Sequence, residues 1–176
     1  MPRQQIRLRP YFSQMTGSIL QVNASQGGVP KHPIPVGILT CSGLEGDRHA
    51  HPDIHGGARQ AVLLITAEGI EELAAQGYPL VYGSLGENLT TRGIDRRDFR
   101  AGQRWQIGTE VVIEITKRRA PCQALNVYGP GIQPAIFDAL AGNGDPSSPK
   151  WGLSGFYASV NQPGVIRSGD EIVLVP

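Results

Sequence analysis

Apolar and polar positions alternate most regularly over residues 110–117, where Val111, Ile113 and Ile115 take one side and Glu114 and Thr116 the other. A period of two puts such residues on opposite faces of a strand. Residues 105–108 read as its partner, with the turn at Gly108-Thr109. Further strands are predicted at 16–23, 36–41, 155–160 and 171–175. Residues 59–66 (RQAVLLIT) differ, because their apolar run is nearly continuous, as in a strand buried on both faces; this strand is placed centrally. The period changes at Thr66. Ile70, Leu73 and Ala74 are spaced three and four apart and form one stripe. Thr66 can cap this helix, Glu68 lies in its first turn, and Gly77 can end it. A shorter helix is predicted at 134–141, with Pro134 at its first position, Ile136, Phe137 and Leu140 as its stripe, and Gly142 as its stop.

Between these elements the chain turns often. Gly27, Gly28, Pro30, Pro33 and Pro35 make a turn-rich connection, residues 43–57 lack apolar periodicity, and 142–150 (GNGDPSSPK) read as a loop. The 176 residues hold 23 Gly and 14 Pro, a balance that suits many short strands better than a helical bundle. Residues 1–15 are assigned to an N-terminal arm and 16–176 to a single domain. The expected fold is mainly β, a barrel of mixed and antiparallel strands with one well-formed helix and one short helix. Closure of the sheet leaves few exposed edges.

A formal net charge of +1 argues against a dedicated nucleic-acid binder. No apolar run approaches the roughly 20 residues of a membrane span, and the polar start lacks the apolar stretch of a secretory signal. The two cysteines, Cys41 and Cys122, make no disulfide framework, so a reducing cytoplasm is the default compartment. Charge is unevenly spread. Residues 92–119 carry eight of the 16 Lys and Arg residues, against four acids. That segment is either a solvated face or a cationic site for a phosphate-bearing ligand.

Three segments could carry chemistry. Residues 46–57 (GDRHAHPDIHGG) hold His49, His51 and His55 with Asp47 and Asp53. Imidazole and carboxylate together suit zinc or manganese. The stretch approaches the His-x-His-x-Asp-His pattern of metallo-β-lactamase-type hydrolases, but Ile54 stands where the last histidine belongs and no histidine follows His55. The alternative is anion recognition, with Gly46, Gly56 and Gly57 exposing backbone N–H groups between Arg48 and Arg59. Arg48 could instead pair with Asp47 or Asp53. The second segment, residues 86–93 (GENLTTRG), offers Asn88, Thr90 and Arg92, or else is a plain turn before an edge strand. The third, Arg118-Arg119-Ala120-Pro121-Cys122, closes the long strand with two guanidinium groups before a thiol, a setting that favours the thiolate. Cys41 shares strand parity with Leu39 and is expected to be a small buried hydrophobe.

These segments, in this order, resemble the MOSC domain family, named for the C-terminal domain of molybdenum-cofactor sulfurases. The matching stretches are 43–65, 86–95, 110–122 and 155–175, with 17–31 similar to the opening of the compact stand-alone bacterial members. The resemblance implies a barrel of the pyruvate-kinase-barrel-like kind and a molybdenum cofactor (molybdopterin), a pterin dithiolene bearing a phosphate. It implies that Cys122 either ligates the metal or carries sulfur as a persulfide, and that Arg48 and Asn88 line the cofactor pocket. Joined to the residue-level reading, the candidate site comprises Cys122 as catalytic and metal-ligating residue, with Asp47, Arg48, His55, Gly56, Gly57, Arg59, Asn88, Thr90, Arg92 and Arg119 binding the cofactor. The resemblance further implies reduction of N-hydroxylated or N-oxygenated small molecules with a redox partner protein. Persulfide carriage with a sulfur-donor partner is the alternative, and passive cofactor holding the third possibility. No aminotransferase-like segment accompanies the motifs, so pyridoxal phosphate is not expected.

Overall fold

A computed structural model describes residues 15–48 and 56–176. The expected arm up to residue 14 and the segment 49–55, which holds His49, His51, Asp53 and His55, lie outside the described residues.

Seven strands close a barrel in the order β1 (Thr16–Ala24), β11 (Glu171–Val175), β7 (Arg104–Ile107), β8 (Val111–Arg118), β9 (Phe156–Gln162), β5 (Val62–Thr66), β6 (Leu89–Arg92) and back to β1. Neighbours are antiparallel except β5 and β6, which run parallel with Leu64 opposite Leu89. Parallel neighbours need a long crossover, and α1 (Ala67–Ala75) supplies the helical part of it. The short β2 (His32–Ile34) pairs with the end of β1, while β3 (Val36–Thr40), β4 (Gly43–Leu44) and β10 (Gly164–Arg167) form a separate three-stranded sheet. The remaining helices are α2 (Ile132–Ile136) and α3 (Ala139–Gly142). The fold is therefore mainly β, a seven-stranded mixed barrel with few and short helices.

The alternation of β8 does what its sequence implies: Val111, Ile113 and Ile115 are fully buried in the barrel. They join Ile19, Leu64, Trp105 and Phe156 in one apolar core, closed by Phe99, whose ring centroid lies 4.9 Å from that of Trp105 and 5.5 Å from that of Phe156. A second apolar cluster lies on the other face of β5. Leu63 and Ile65 meet Ile70 and Leu73 of α1, together with Leu85, Leu125, Ile136 and Leu153. β5 is buried on both faces, which explains its unbroken apolar run.

Several expectations need correction. The central strand begins at Val62, because Ala58–Gln60 form a 3₁₀ turn. In α1 the Thr66 hydroxyl caps as expected, accepting the Gly69 N–H at 3.2 Å, but Ala74 is exposed and the buried stripe is Ala67, Ile70 and Leu73. The single helix at 134–141 is two helices. Phe137 is extended, and the Asp138 carboxylate accepts the Ala141 N–H at 2.8 Å, so a new cap restarts the chain as α3 and leaves Leu140 facing solvent. Cys41 is exposed, since β3 ends at Thr40, whose hydroxyl accepts the Ser42 N–H and turns the chain before parity can bury the thiol. Residues 89–92 form no edge strand, because β6 lies between β5 and β1 with Thr90 and Thr91 fully buried. Strands β2, β4 and β10 had no counterpart in the sequence pattern.

Candidate functional site

The motif segments meet where β1 ends and β5 and β6 begin. The turn before β6 is held by Glu87, which is fully buried; its Oε1 accepts the Gly83 N–H and lies 3.2 Å from the Thr90 hydroxyl. Gly83 is required there. Its φ is +93°, and a Cβ would come within 2.1 Å of the Lys31 carbonyl oxygen. Next in the chain, Asn88 donates from Nδ2 to the Asn23 carbonyl at 3.3 Å and to Asp47 Oδ2 at 2.9 Å, and its Oδ1 accepts the Leu63 N–H at 3.2 Å. Asp47 is paired with the buried Lys31 ammonium, and its other oxygen accepts the Ser25 N–H at 2.8 Å. Burial pulls Lys31 below its ordinary pKa despite Asp47. Asp47 and Asn88 thus fasten the 46–48 loop to β1 and β5, with their polar atoms directed into the protein. Thr90 belongs to the same network, accepting from Asn23 Nδ2 at 3.1 Å.

The third segment joins this network through Arg119. β8 ends at Arg118, and the Arg119 N–H donates to the Gly155 carbonyl at 2.8 Å. The Arg119 side chain is buried, with 5% exposure. Its Nη1 donates to the Leu85 carbonyl at 3.0 Å, and its Nη2 lies 3.9 Å from Cys122 Sγ. Its buried Nε has no hydrogen-bond partner among the described residues, and no described carboxylate lies within ion-pair distance of the guanidinium. Cys122 itself is half-buried and packs against the second apolar cluster, at the start of the 3₁₀ segment Gln123–Tyr128. Tyr157 lies close by, its phenol pushed up chiefly by burial, with the Arg119 charge opposing. A buried cation with no carboxylate at ion-pair distance among the described residues, carrying an orphaned N–H beside a half-buried thiol, fits an anionic and thiophilic ligand.

The other candidates are placed differently. Arg48 is exposed, and its backbone N–H donates to the Ser25 carbonyl at 2.8 Å. Gly56 and Gly57 have φ of +99° and +85°, and a Cβ on Gly57 would meet nothing, so backbone conformation rather than space favours glycine there. Arg59 is exposed, with its carbonyl accepting the Thr116 hydroxyl at 2.6 Å. Arg92 turns to α1, where it pairs with Glu71 and donates to the Tyr82 hydroxyl at 3.0 Å. His55 lies outside the described residues, as do His49, His51 and Asp53 of the metal reading, whose remaining member Asp47 is paired with Lys31; among the described residues no cluster of three metal-ligating side chains occurs. Most cations of 92–119 are engaged locally. Arg96, Arg97 and Arg104 pair with Glu72, Asp95 and Glu114, and Arg118 reaches the Gly142 carbonyl. Of that basic segment, Arg119 is the member directed at the thiol. A cleft of about 470 Å³ between α1 and residues 93–97 is lined by none of the candidates.

Lys31 and Glu87 were missed by the sequence reading. Each stands in a quoted motif, yet each reads locally as an ordinary solvated charge; only the packing of distant segments buries them.

Protein YiiM of Escherichia coli (strain K12) is 33% identical over 95 residues, covering 52% of this chain and 42% of its own. A protein named Reductase from Gibberella moniliformis is 30% identical over 100 residues, covering 54% of this chain and 18% of its own. The chain covers less than half the length of either relative. The crystal structure of YuaD from Bacillus subtilis superposes with a TM-score of 0.69 over 92% of this chain and 96% of that one, at 19% identity, a likeness of fold. The MOSC domain pattern matches residues 51–173, and with these segments assembled round one barrel the chain belongs to the MOSC domain family.

Proposed function

We propose that this chain holds a molybdenum cofactor with Cys122 as a metal ligand and reduces N-hydroxylated or N-oxygenated small molecules, taking electrons from a partner redox protein. The observation that supports it most is the buried Arg119 guanidinium, which has no described carboxylate within ion-pair distance and has Nη2 3.9 Å from Cys122 Sγ. When bound, the cofactor supplies a thiophilic metal able to accept an oxygen atom and return as a two-electron reductant. In such a reduction the substrate N–O bond breaks, two electrons and two protons enter, and amine and water leave. The named Reductase among the relatives is consistent with this chemistry.

The residues of this chain divide the work. Arg119 neutralises anionic charge at the thiol, and the Leu85 carbonyl fixes its orientation. Cys122 offers a soft sulfur at the edge of the second apolar cluster, whose Leu125 and Tyr157 exclude water on that side. Asp47, Lys31 and Asn88 hold the 46–48 loop, so that Arg48 leaves it toward solvent and an entering anion. The same thiol suits a persulfide, so one experiment serves both readings. The full chain is produced in a host that makes molybdenum cofactor, as wild type, Cys122→Ser and Cys41→Ser. We expect molybdenum with wild type and Cys41→Ser, and at least tenfold less with Cys122→Ser. Equal metal in Cys122→Ser overturns the ligand role. A metal-free wild type about 32 Da heavier under non-reducing conditions replaces it with sulfur carriage.

A further inference from the structure

We propose that Glu87 is a positioning residue for Arg119 and, through Arg119, governs the reactivity of the Cys122 thiol. The inference deepens the reading of Cys122 as the working residue, but it requires no bound cofactor.

Glu87 is fully buried and two residues from Leu85. Its Oε1 accepts the Gly83 N–H and so ties residues 83–87 into a closed turn. Ser84 closes the other side, its hydroxyl accepting the Val81 N–H at 2.9 Å. The Leu85 carbonyl presented by this turn receives Arg119 Nη1 at 3.0 Å, and Nη2 then lies at Cys122 Sγ. The path from Glu87 to the thiol is thus one hydrogen-bonded turn and one guanidinium.

Charge supplies a second link. Glu87 Oε2 and Arg119 Nε are both buried without a hydrogen-bond partner among the described residues, and the two groups are coupled electrostatically. Burial pushes the Glu87 carboxyl up to about 7, opposed by its hydrogen bonds from backbone N–H groups and Thr90 and by the Arg119 charge. The other groups that feel its charge are the Lys31 ammonium, itself paired with Asp47, and the Tyr128 phenol. Near neutral pH, Glu87 therefore changes between a neutral acid and an anion that offsets Arg119. Neutral Glu87 leaves the full guanidinium charge to support attack by the sulfur, and ionised Glu87 weakens it.

The carboxyl has two roles, a clamp and a charge, and two substitutions separate them. Glu87→Gln keeps an oxygen for the Gly83 N–H and removes the charge, whereas Glu87→Ala removes both. In cofactor-free full chain carrying Cys41→Ser, the rate of Cys122 alkylation by iodoacetamide is measured at pH 6 and pH 8. We expect Glu87→Gln to match wild type at pH 6 and to react at least threefold faster at pH 8. We expect Glu87→Ala to react at least threefold slower at both. Added to Arg119→Met, neither change should alter the rate further. A merely structural Glu87 slows both variants alike, and that result, or no change in either, overturns the proposal. Should the variants fail to fold, ¹⁵N NMR of the Arg119 guanidinium in the Cys41→Ser chain decides. Its Nε signal should shift with a midpoint near pH 7, and a flat profile from pH 6 to 8 overturns the proposal. Cofactor is absent throughout, so failure here leaves the molybdenum reading standing, and failure of that reading leaves this coupling standing.

Discussion

The two faces of β5 border very different interiors. On the barrel side, Val62 and Leu64 enter a core of hydrocarbon and aromatic rings with no charged member. On the outer side, Leu63 and Ile65 enter a smaller cluster edged by Cys122, Tyr157 and Tyr128, with buried Glu87, Asn88 and Arg119 beside it. The barrel side buries mainly apolar area, with the Trp105 Nε1 a buried polar atom lacking a partner among the described residues, and carries most of the stability. The outer side accepts the cost of burying ions and is where a ligand can be recognised. The fold keeps these tasks a strand's thickness apart.

That division can be broken from either side. The largest effect is expected from the barrel. Trp105→Ala removes a fully buried ring in contact with Phe99 and should cost about 4 kcal/mol in denaturant unfolding. Cys122 alkylation in the still-folded fraction should be unchanged. An altered rate would mean that the two interiors are not independent. Next, Lys31→Ala leaves the Asp47 carboxylate buried beside Asn88 without its cation and should cost about 3 kcal/mol. Here the site should suffer as well, because Asp47 ties down the 46–48 loop. Stability lost with molybdenum retention intact would show that this loop does not serve the site.

The smallest effect concerns pH. An unfolded glutamate ionises near 4.5, whereas folded Glu87 holds its proton to about 7. Between those values the folded chain binds the extra proton, so the contribution of Glu87 is complete below pH 4.5 and is lost as pH rises through 7. Between pH 5 and pH 8 the change amounts to about 2–3 kcal/mol, and Glu87→Gln should remove it. Unfolding free energies at pH 5 and pH 8 should therefore converge in the variant relative to wild type. Parallel pH profiles for the two proteins would remove Glu87 as the titrating group.

The same contrast sets what the sequence could reveal. The barrel side was legible because its rule is local: alternation in β8 and the unbroken apolar run in β5 depend on neighbouring residues alone. The resemblance named Cys122, Arg48 and Asn88, and the same segments hold Asp47, Thr90 and Arg119; the fold joins Asp47, Asn88 and Thr90 in one network and sets Arg119 against Cys122, while Arg48 is exposed. The motifs did not tell which would face a ligand. Asn88 spends its amide on Asp47, Asn23 and Leu63, and Arg92 goes to Glu71. Lys31 and Glu87 were illegible because a charge is buried only when segments some 55 residues apart in the chain meet. The four-residue β6 gave too short a pattern to be placed inside the barrel, and Asp138 outcompeted the continuing helix through a cap whose strength depends on geometry.

The most direct test of the central claim is the molybdenum content of the full chain made in a cofactor-producing host, compared between wild type and Cys122→Ser. The expected result is metal in the wild type and at least a tenfold loss in the variant, with Cys41→Ser unchanged. Equal molybdenum in wild type and Cys122→Ser would contradict the claim that this sulfur, set against the buried Arg119, holds the metal.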